Sequence, residues 1–390
     1  MPIKPLEKDV ENLGQVFTPD FVVSQMLVLK KKSGAVLEPS CGDGAFLKHL
    51  SGNFVGLEID QRFKNKNVLN QDFFDYPTEN KFDTIIGNPP YVRFNDISQE
   101  TKGKLRSNLF DKRSNLYLFF IEKSIRHLNP DGEIIFITPR DFLKATSSIK
   151  LNNFIYQNGT ITDIIDLGDK KIFEGFSPNC IIWRFEKDNF SRKTNFHKNF
   201  IFSNGQLLFV DNFYPINFQD IFFVKVGAVS GADDIFAEPK NSNTEFVCSF
   251  TAATGKTKKM IYNKKIKHLE KFKPRLLNRK IKKFNENNWW TWGRDFFASE
   301  LKRIYVNCKT RNKAPFFIHQ SNFYDGSILA IFPHNQKINL RELTNDLNNV
   351  DWGELGFICD GRYIFSQKSL ENCVLPENFR KYSGFKKTLL

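Results

Sequence analysis

Between Val36 and about Phe185 the chain alternates short apolar runs of strand character with segments of helical period. The runs are "AVLEPS", "NFVGLEID", "FDTIIGNPP", "GEIIFITP", "ITDIIDLG" and "NCIIWRFE", and between them "GAFLKHL" and "NLYLFFIEKSIRHL" are expected as helices. Alternation of this kind builds crossover units on a mostly parallel sheet, an α/β fold whose ligands sit at the carboxyl ends of the strands. After Phe185 the crossover pattern stops and irregular apolar segments separated by Asn, Lys and Gly take over. At 390 residues the chain exceeds one ordinary domain, and the polar stretch "EKDNFSRKTNFHKNF" marks a boundary between about residues 190 and 215. Two domains are therefore expected, 1–200 with the parallel sheet and 201–390 of mixed α+β character.

The residues with chemistry to offer fall at successive strand ends. "VLEPSCGDGAFLKHL" places Glu38 after a strand and then a turn with Gly42 and Gly44, where glycine permits positive φ and close approach of backbone to a ligand. A dinucleotide fingerprint would need a third glycine, but position 47 is Leu, which argues against a pyrophosphate cradle. "VGLEID" ends the next strand on Glu58, about 20 residues beyond Glu38, where a carboxylate can accept both hydroxyls of a ribose. "NQDFFDY" adds Asp72, an acceptor for a ring amino group, beside Phe73, a stacking ring. One such residue alone would be a turn or a helix cap; the ordered set points to a nucleoside-bearing ligand.

The fourth strand end is "FDTIIGNPPYVRF". Two prolines fix φ and remove two backbone donors, so the segment presents acceptors: the Asn88 amide oxygen and the Pro89 carbonyl. Two convergent acceptors suit an amino group, and Tyr91 offers a face for a planar ring. The implied substrate is an exocyclic amine on an aromatic ring. Its lone pair is conjugated and therefore a poor nucleophile, and hydrogen bonds that draw its protons out of the ring plane localise that pair for in-line attack on an electrophilic carbon.

Taken together, these residues resemble the amino-methyltransferases that use S-adenosylmethionine, specifically the DNA adenine-N6 methyltransferases of the gamma arrangement, similar to the TaqI and Eco57I modification enzymes. The resemblance rests on "GQVFTPDFVVSQM", "LEPSCGDGAF", "VGLEID", "QDFFDY" and "NPPY" in that order, with "NLYLFFIEKSIRHLNPDGEIIFITPRDFL" and "IFEGFSPNCIIWRF" following, and spans about residues 12 to 186. It implies a class I methyltransferase sheet of seven strands with the last antiparallel. It also implies Thr18, Glu38, Ser40, Gly42, Gly44, Glu58, Ile59, Asp72, Phe73, Pro90 and Phe120 around the cofactor. Asn88 and Pro89 would bind the amine of an adenine flipped out of duplex DNA, with Tyr91 on one face of the base. The second aromatic would be Phe173, with Phe176 a neighbouring candidate.

The net charge of +14 favours a polyanionic partner, and residues 251 to 300 hold 14 Lys or Arg against 4 Asp or Glu, a basic stretch for phosphate contact. Lys264, Lys265, Arg275, Arg279 and Lys280 are the candidate DNA contacts, and the interleaved Tyr262, Phe272, Phe284, Trp289, Trp290 and Trp292 suggest a nucleic-acid surface. "KVGAVSGADDIF" and "CDGRYIFSQKSLENCVLP" faintly resemble segments of target-recognition domains. The expected partner is double-stranded DNA, with a cognate restriction endonuclease left open, no membrane, a monomeric state and a cytoplasmic location. The six cysteines lie far apart with no CxxC pair, so reduced thiols and no metal site are expected. No PD…(D/E)xK cluster is evident, which predicts modification without cleavage. Three other readings remain: protein glutamine methyltransferases also carry NPPY but place a helical domain before the glycine turn; a basic platform does not by itself separate RNA from DNA; and a catalytically silent DNA-binding module would lack methyl transfer altogether.

Overall fold

The computed structural model describes residues 16–63, 66–111, 114–168, 172–173 and 179–384. The chain divides into two compact units, Met1–Asp211 and Asn212–Leu390. The first unit is built on a seven-stranded sheet of β1 (Val36–Glu38), β2 (Phe54–Leu57), β3 (Val68–Leu69), β4 (Phe82–Gly87), β5 (Leu128–Pro139), β6 (Gly159–Asp166) and β7 (Cys180–Lys187), in the spatial order 3-2-1-4-5-7-6. Strands β1 to β5 run parallel, whereas β7 is inserted antiparallel to both β5 and β6. This is the class I methyltransferase sheet. A hairpin of β8 (Asn199–Ser203) and β9 (Gln206–Val210) completes the unit, so residue 200 falls inside a strand.

Helices α1 (Asp20–Val28), α2 (Gln99–Lys104), α3 (Leu116–His127) and α4 (Ile149–Asn158) flank the sheet. Both faces are covered, so the central strands read as unbroken apolar runs. Alternate side chains of β4 and β5 fill two cores: Ile85, Ile134 and Phe136 pack with Leu118, Ile121 and Ile125 of α3, while Ile86, Ile135 and Ile137 pack with Val22, Val23 and Met26 of α1. Each isoleucine is fully buried and contributes roughly 1.5–3 kcal/mol through apolar burial. Asn115 caps α3 by accepting the Tyr117 amide at 3.4 Å, which starts the helix where the sequence places it.

The segment "GAFLKHL" differs from expectation. It forms turns and a three-residue 3-10 helix, Leu47–His49, not an α-helix. Gly42 and Gly44 sit at φ +50° and +78°, left-handed conformations that keep a helix from starting upstream. Too few residues remain to repay nucleation.

The second unit carries a four-stranded antiparallel sheet, in spatial order Phe222–Val226, Ile328–Pro333, Ile304–Asn307 and Phe316–Phe317, with the helix Leu340–Asn348 and several shorter ones. Its mixed α and β content agrees with the reading of the sequence. Among the described residues no helix is long and apolar enough to cross a membrane.

Candidate active site

The strand order reverses between β1 and β4, the point at which a parallel sheet opens a crevice beyond its carboxyl ends. Glu38 ends β1, Glu58 follows β2 directly, Asp72 lies just past β3 and Asn88 follows β4. A cavity of about 320 Å³ opens there, within the size range of small-ligand sites. Ser40, Gly42, Glu58 and Ile59 form part of its wall, with Asp72, Phe73, Asn88, Pro90 and Phe120. Thr18, Glu38 and Gly44 are set back from it.

The glycine turn and the second acidic residue are joined directly. Gly42 donates its amide to Glu58 Oε2 at 2.7 Å, and Asp60 donates its amide to Oε1 at 2.8 Å. Each oxygen is fixed by one backbone donor and keeps acceptor capacity for the cavity. Burial raises the Glu58 carboxyl above its ordinary range although these amides favour the charged form. Glu38 is only 1% exposed and its Oε2 is a buried acceptor with no donor among the described residues. Burial, aided by the charges of Asp43 and Glu58, pushes its carboxyl well above the ordinary value.

Asp72 is more occupied than the sequence suggested. Its Oδ1 accepts the Phe74 amide at 2.9 Å, capping the 3-10 helix Phe73–Asp75, and its Oδ2 lies 3.2 Å from the Lys104 ammonium. Phe73 stacks on Phe120 with ring centroids 4.9 Å apart, so the two rings act as one aromatic wall. Helix α2 and the turn before it add Ile97, Ser98, Glu100 and Thr101 to the cavity. Lys104 anchors that wall by reaching Asp72, Asp75 and Glu100 together. None of these residues was singled out in the sequence, where nothing separates "DISQETKGK" from any capped surface helix.

Asn88 has a defined polarity. Its Nδ2 donates to the Val16 carbonyl and to Thr18 Oγ1, both at 3.2 Å, while Oδ1 is buried without a hydrogen-bond partner among the described residues. Ser40 Oγ donates to the Asn88 carbonyl at 3.3 Å, and among the described residues no backbone amide donates to the Pro89 carbonyl. Tyr91 donates its hydroxyl to the Ile137 carbonyl at 3.0 Å, which fixes the ring. Phe173, 82 positions further along the sequence, packs against it, but edge-on, with centroids 6.2 Å apart and planes at 65°. Phe173 is only 3% exposed. The two aromatics are thus brought together without a parallel slot between them. Phe176 lies outside the described residues.

In the second unit the basic stretch separates into surface and interior. Lys264, Lys265, Arg275 and Lys280 are exposed; Lys265 stands over the Trp290 ring at 5.0 Å, and Arg275 makes a two-pronged pair with Asp234 at 2.7 and 2.9 Å. Arg279 does not belong with them. It is 8% exposed and donates to the carbonyls of Leu276, Ser230, Trp289 and Thr291, so its guanidinium braces the helix Lys273–Leu277 against two loops and has no face left for a phosphate. Trp289 and Trp292 are buried as well, Trp292 stacking on Phe246 at 4.7 Å. They belong to a buried apolar cluster of this unit, which corrects the reading of these two tryptophans as part of a nucleic-acid surface. Among the described residues no cluster of His, Cys, Asp or Glu is placed to hold a metal.

Comparison with known proteins agrees with this geometry. The family described as the Eco57I restriction-modification methylase matches residues 42–173. The Type II methyltransferase M.HincII of Haemophilus influenzae is 34% identical over 222 residues, covering 54% of this chain and 42% of that protein. M.TthHB8I of Thermus thermophilus is 34% identical over 208 residues, covering 48% of each. The chain thus spans less than half the length of these relatives. Among solved structures, the Type IIL restriction-modification enzyme MmeI in complex with DNA aligns with a TM-score of 0.57 over 94% of this chain and 64% of that one, at 12% identity, a likeness of fold. The chain is similar to gamma-arrangement DNA methyltransferases of restriction-modification systems, as its motif order indicates.

Proposed function

We propose that this chain is a DNA adenine-N6 methyltransferase that uses S-adenosylmethionine, the modification part of a restriction-modification system, with the first unit catalytic and the second reading the target. The observation that carries this reading is the Asn88 amide, pinned by its nitrogen while its buried oxygen has no donor among the described residues. A buried acceptor left without a donor costs roughly 1–3 kcal/mol. Such an atom on a cavity wall fits a ligand that supplies an N–H.

The residues present fit the cofactor. The Gly42 turn gives close backbone approach, Glu58 is oriented for ribose hydroxyls, and Asp72 keeps acceptor capacity for the adenine amino group beside the Phe73–Phe120 wall. The unpartnered Glu38 oxygen suits a further N–H donor. When bound, the cofactor supplies an electrophilic methyl carbon. The protein does the rest by positioning: Asn88 Oδ1 and the Pro89 carbonyl accept hydrogen bonds from the two N–H groups of the target amine, which localises its lone pair, and the methylated cation then gives up one proton to solvent, with no base needed beforehand. In a duplex that amine is paired, so the adenine must leave the stack. Tyr91 receives one face of it, and Phe173 must turn away from its edge contact to cover the other.

The test is transfer of labelled methyl from S-adenosylmethionine into duplex DNA, followed by nucleoside analysis. Label is expected in N6-methyl-2′-deoxyadenosine and absent from deoxycytidine, and Asn88→Ala should lower the single-turnover rate on the order of a hundredfold or more, as loss of one preorganised polar group at a reacting centre does. Parental transfer by Asn88→Ala, or label confined to RNA or protein, would defeat the reading.

A further inference from the structure

The amide of Asn88 is oriented from a segment distant in sequence, 72 and 70 positions away at its two contacts. A backbone carbonyl only accepts, so the NH2 end must face Val16, and the polarity of the side chain follows from that one bond. Thr18 Oγ1 accepts the hydrogen bond of the second N–H. Between them, Phe17 lines the cavity, and its ring lies over the glycine turn: a methyl added to Gly42 would touch it at 3.8 Å. One short non-helical segment before α1 therefore contacts the catalytic amide through residues 16 and 18 and the cofactor cavity through residue 17.

We infer that Val16–Thr18 is the orienting clamp of the Asn88 amide, and that Thr18, which does not line the cavity, is a positioning residue acting through Asn88 and not a cofactor contact. The inference rests on the reading that Asn88 accepts the target amine. With both nitrogen protons held, the oxygen is the only end of the amide presented to substrate. Removing the Thr18 oxygen leaves one N–H unsatisfied in a half-buried place and lets the side chain rotate away from the geometry needed for attack. Loss of this contact belongs to the chemical step, because the cofactor cavity keeps its walls.

The full chain is compared with Thr18→Val, Thr18→Ala and Thr18→Ser by single-turnover methyl transfer to duplex DNA and by calorimetric titration with S-adenosylhomocysteine. Thr18→Val and Thr18→Ala should each slow transfer roughly tenfold, the effect of one lost hydrogen bond, while product-cofactor affinity stays within about twofold and Thr18→Ser runs near the parental rate. Thr18→Ala decides the matter if Thr18→Val does not melt cooperatively. Unchanged transfer in the variants lacking the oxygen, a loss of affinity as large as the loss of rate, or a defect that serine does not restore would each overturn the inference. Asn88→Ala separates the two levels: if it is inactive while Thr18→Val is unimpaired, only the clamp fails; if it is fully active, the amine-acceptor reading fails and the clamp with it.

Discussion

At the scale of single residues, the site stores unsatisfied polarity. Glu38 is buried with an unpartnered oxygen near Asp43 and Glu58, an arrangement that ligand-free folding does not favour. Because the folded state holds this carboxyl proton above the ordinary glutamate value of 4.5 while the unfolded chain releases it, the folded form binds more protons, and stability falls as pH rises through that window. Glu38→Gln is therefore expected to melt higher than the parent at pH 8, by roughly 2–4 °C per kcal/mol regained. The gap should close toward pH 4, and the same variant should bind S-adenosylhomocysteine more weakly. Paired melting curves across pH with a cofactor titration check both; an equal or lower melting temperature at pH 8 would count against stored strain at Glu38. The acidic residues and the Gly42–Gly44 turn could be found from the sequence because they act where local chain geometry puts them, at strand ends and at positive φ. Which carboxylate oxygen lacks a partner could not, since that depends on burial by distant elements.

At the scale of elements, the antiparallel insertion of β7 is held by a buried polar network across four neighbouring strands. Glu133 of β5 and Arg184 of β7, both fully buried, pair at 2.7 Å. Glu133 Oε1 also accepts the amides of Lys31 and Lys32 and the hydroxyl of Thr84 in β4, and Arg184 donates to Thr162 of β6 at 2.9 Å. Removing Glu133 leaves the buried Arg184 with only Glu186 and Asp163 as charged partners among the described residues and strips the acceptor from the Lys31 and Lys32 amides and the Thr84 hydroxyl, so Glu133→Ala should destabilise by about 3–5 kcal/mol in urea titration. Replacing both partners with apolar residues should recover much of that loss; if the double variant is no more stable than the single, charge burial is not the cause. The run "GEIIFITP" announces the strand, yet the place of β7 between β5 and β6 is a matter of pairing partners that no local pattern carries. The reverse holds for "GAFLKHL", where an apolar helical period was overruled by two left-handed glycines at its start.

At the scale of the whole molecule, net charge and its location separate. The surface lysines of the second unit are expected to contact phosphate, and each one lost should lower the magnitude of the slope of log affinity against log salt by about one. Lys264→Ala, Lys265→Ala and Lys280→Ala, combined, should weaken duplex binding and reduce the slope, with the melting temperature unchanged. Arg279→Ala should instead lower the melting temperature, because four carbonyls lose their donor. Fluorescence anisotropy over a salt series, set beside thermal melts, distinguishes these outcomes; a slope unaffected by the triple variant would remove these lysines from the DNA contact.

The sequence by itself determined the parallel α/β unit, the strand-end acids, the glycine turn and the proline-stiffened Asn88–Tyr91 segment, because periodicity, positive φ and fixed proline torsions are properties of adjacent residues. Only the tertiary structure decided that the Asn88 oxygen is the end without a partner among the described residues, that α2, anchored by Lys104, walls the cavity, that Tyr91 and Phe173 meet edge-on, and that Trp289, Trp292 and Arg279 lie in the interior. Each of those is a statement about burial or about a partner far along the chain, and neither quantity exists until the elements have packed.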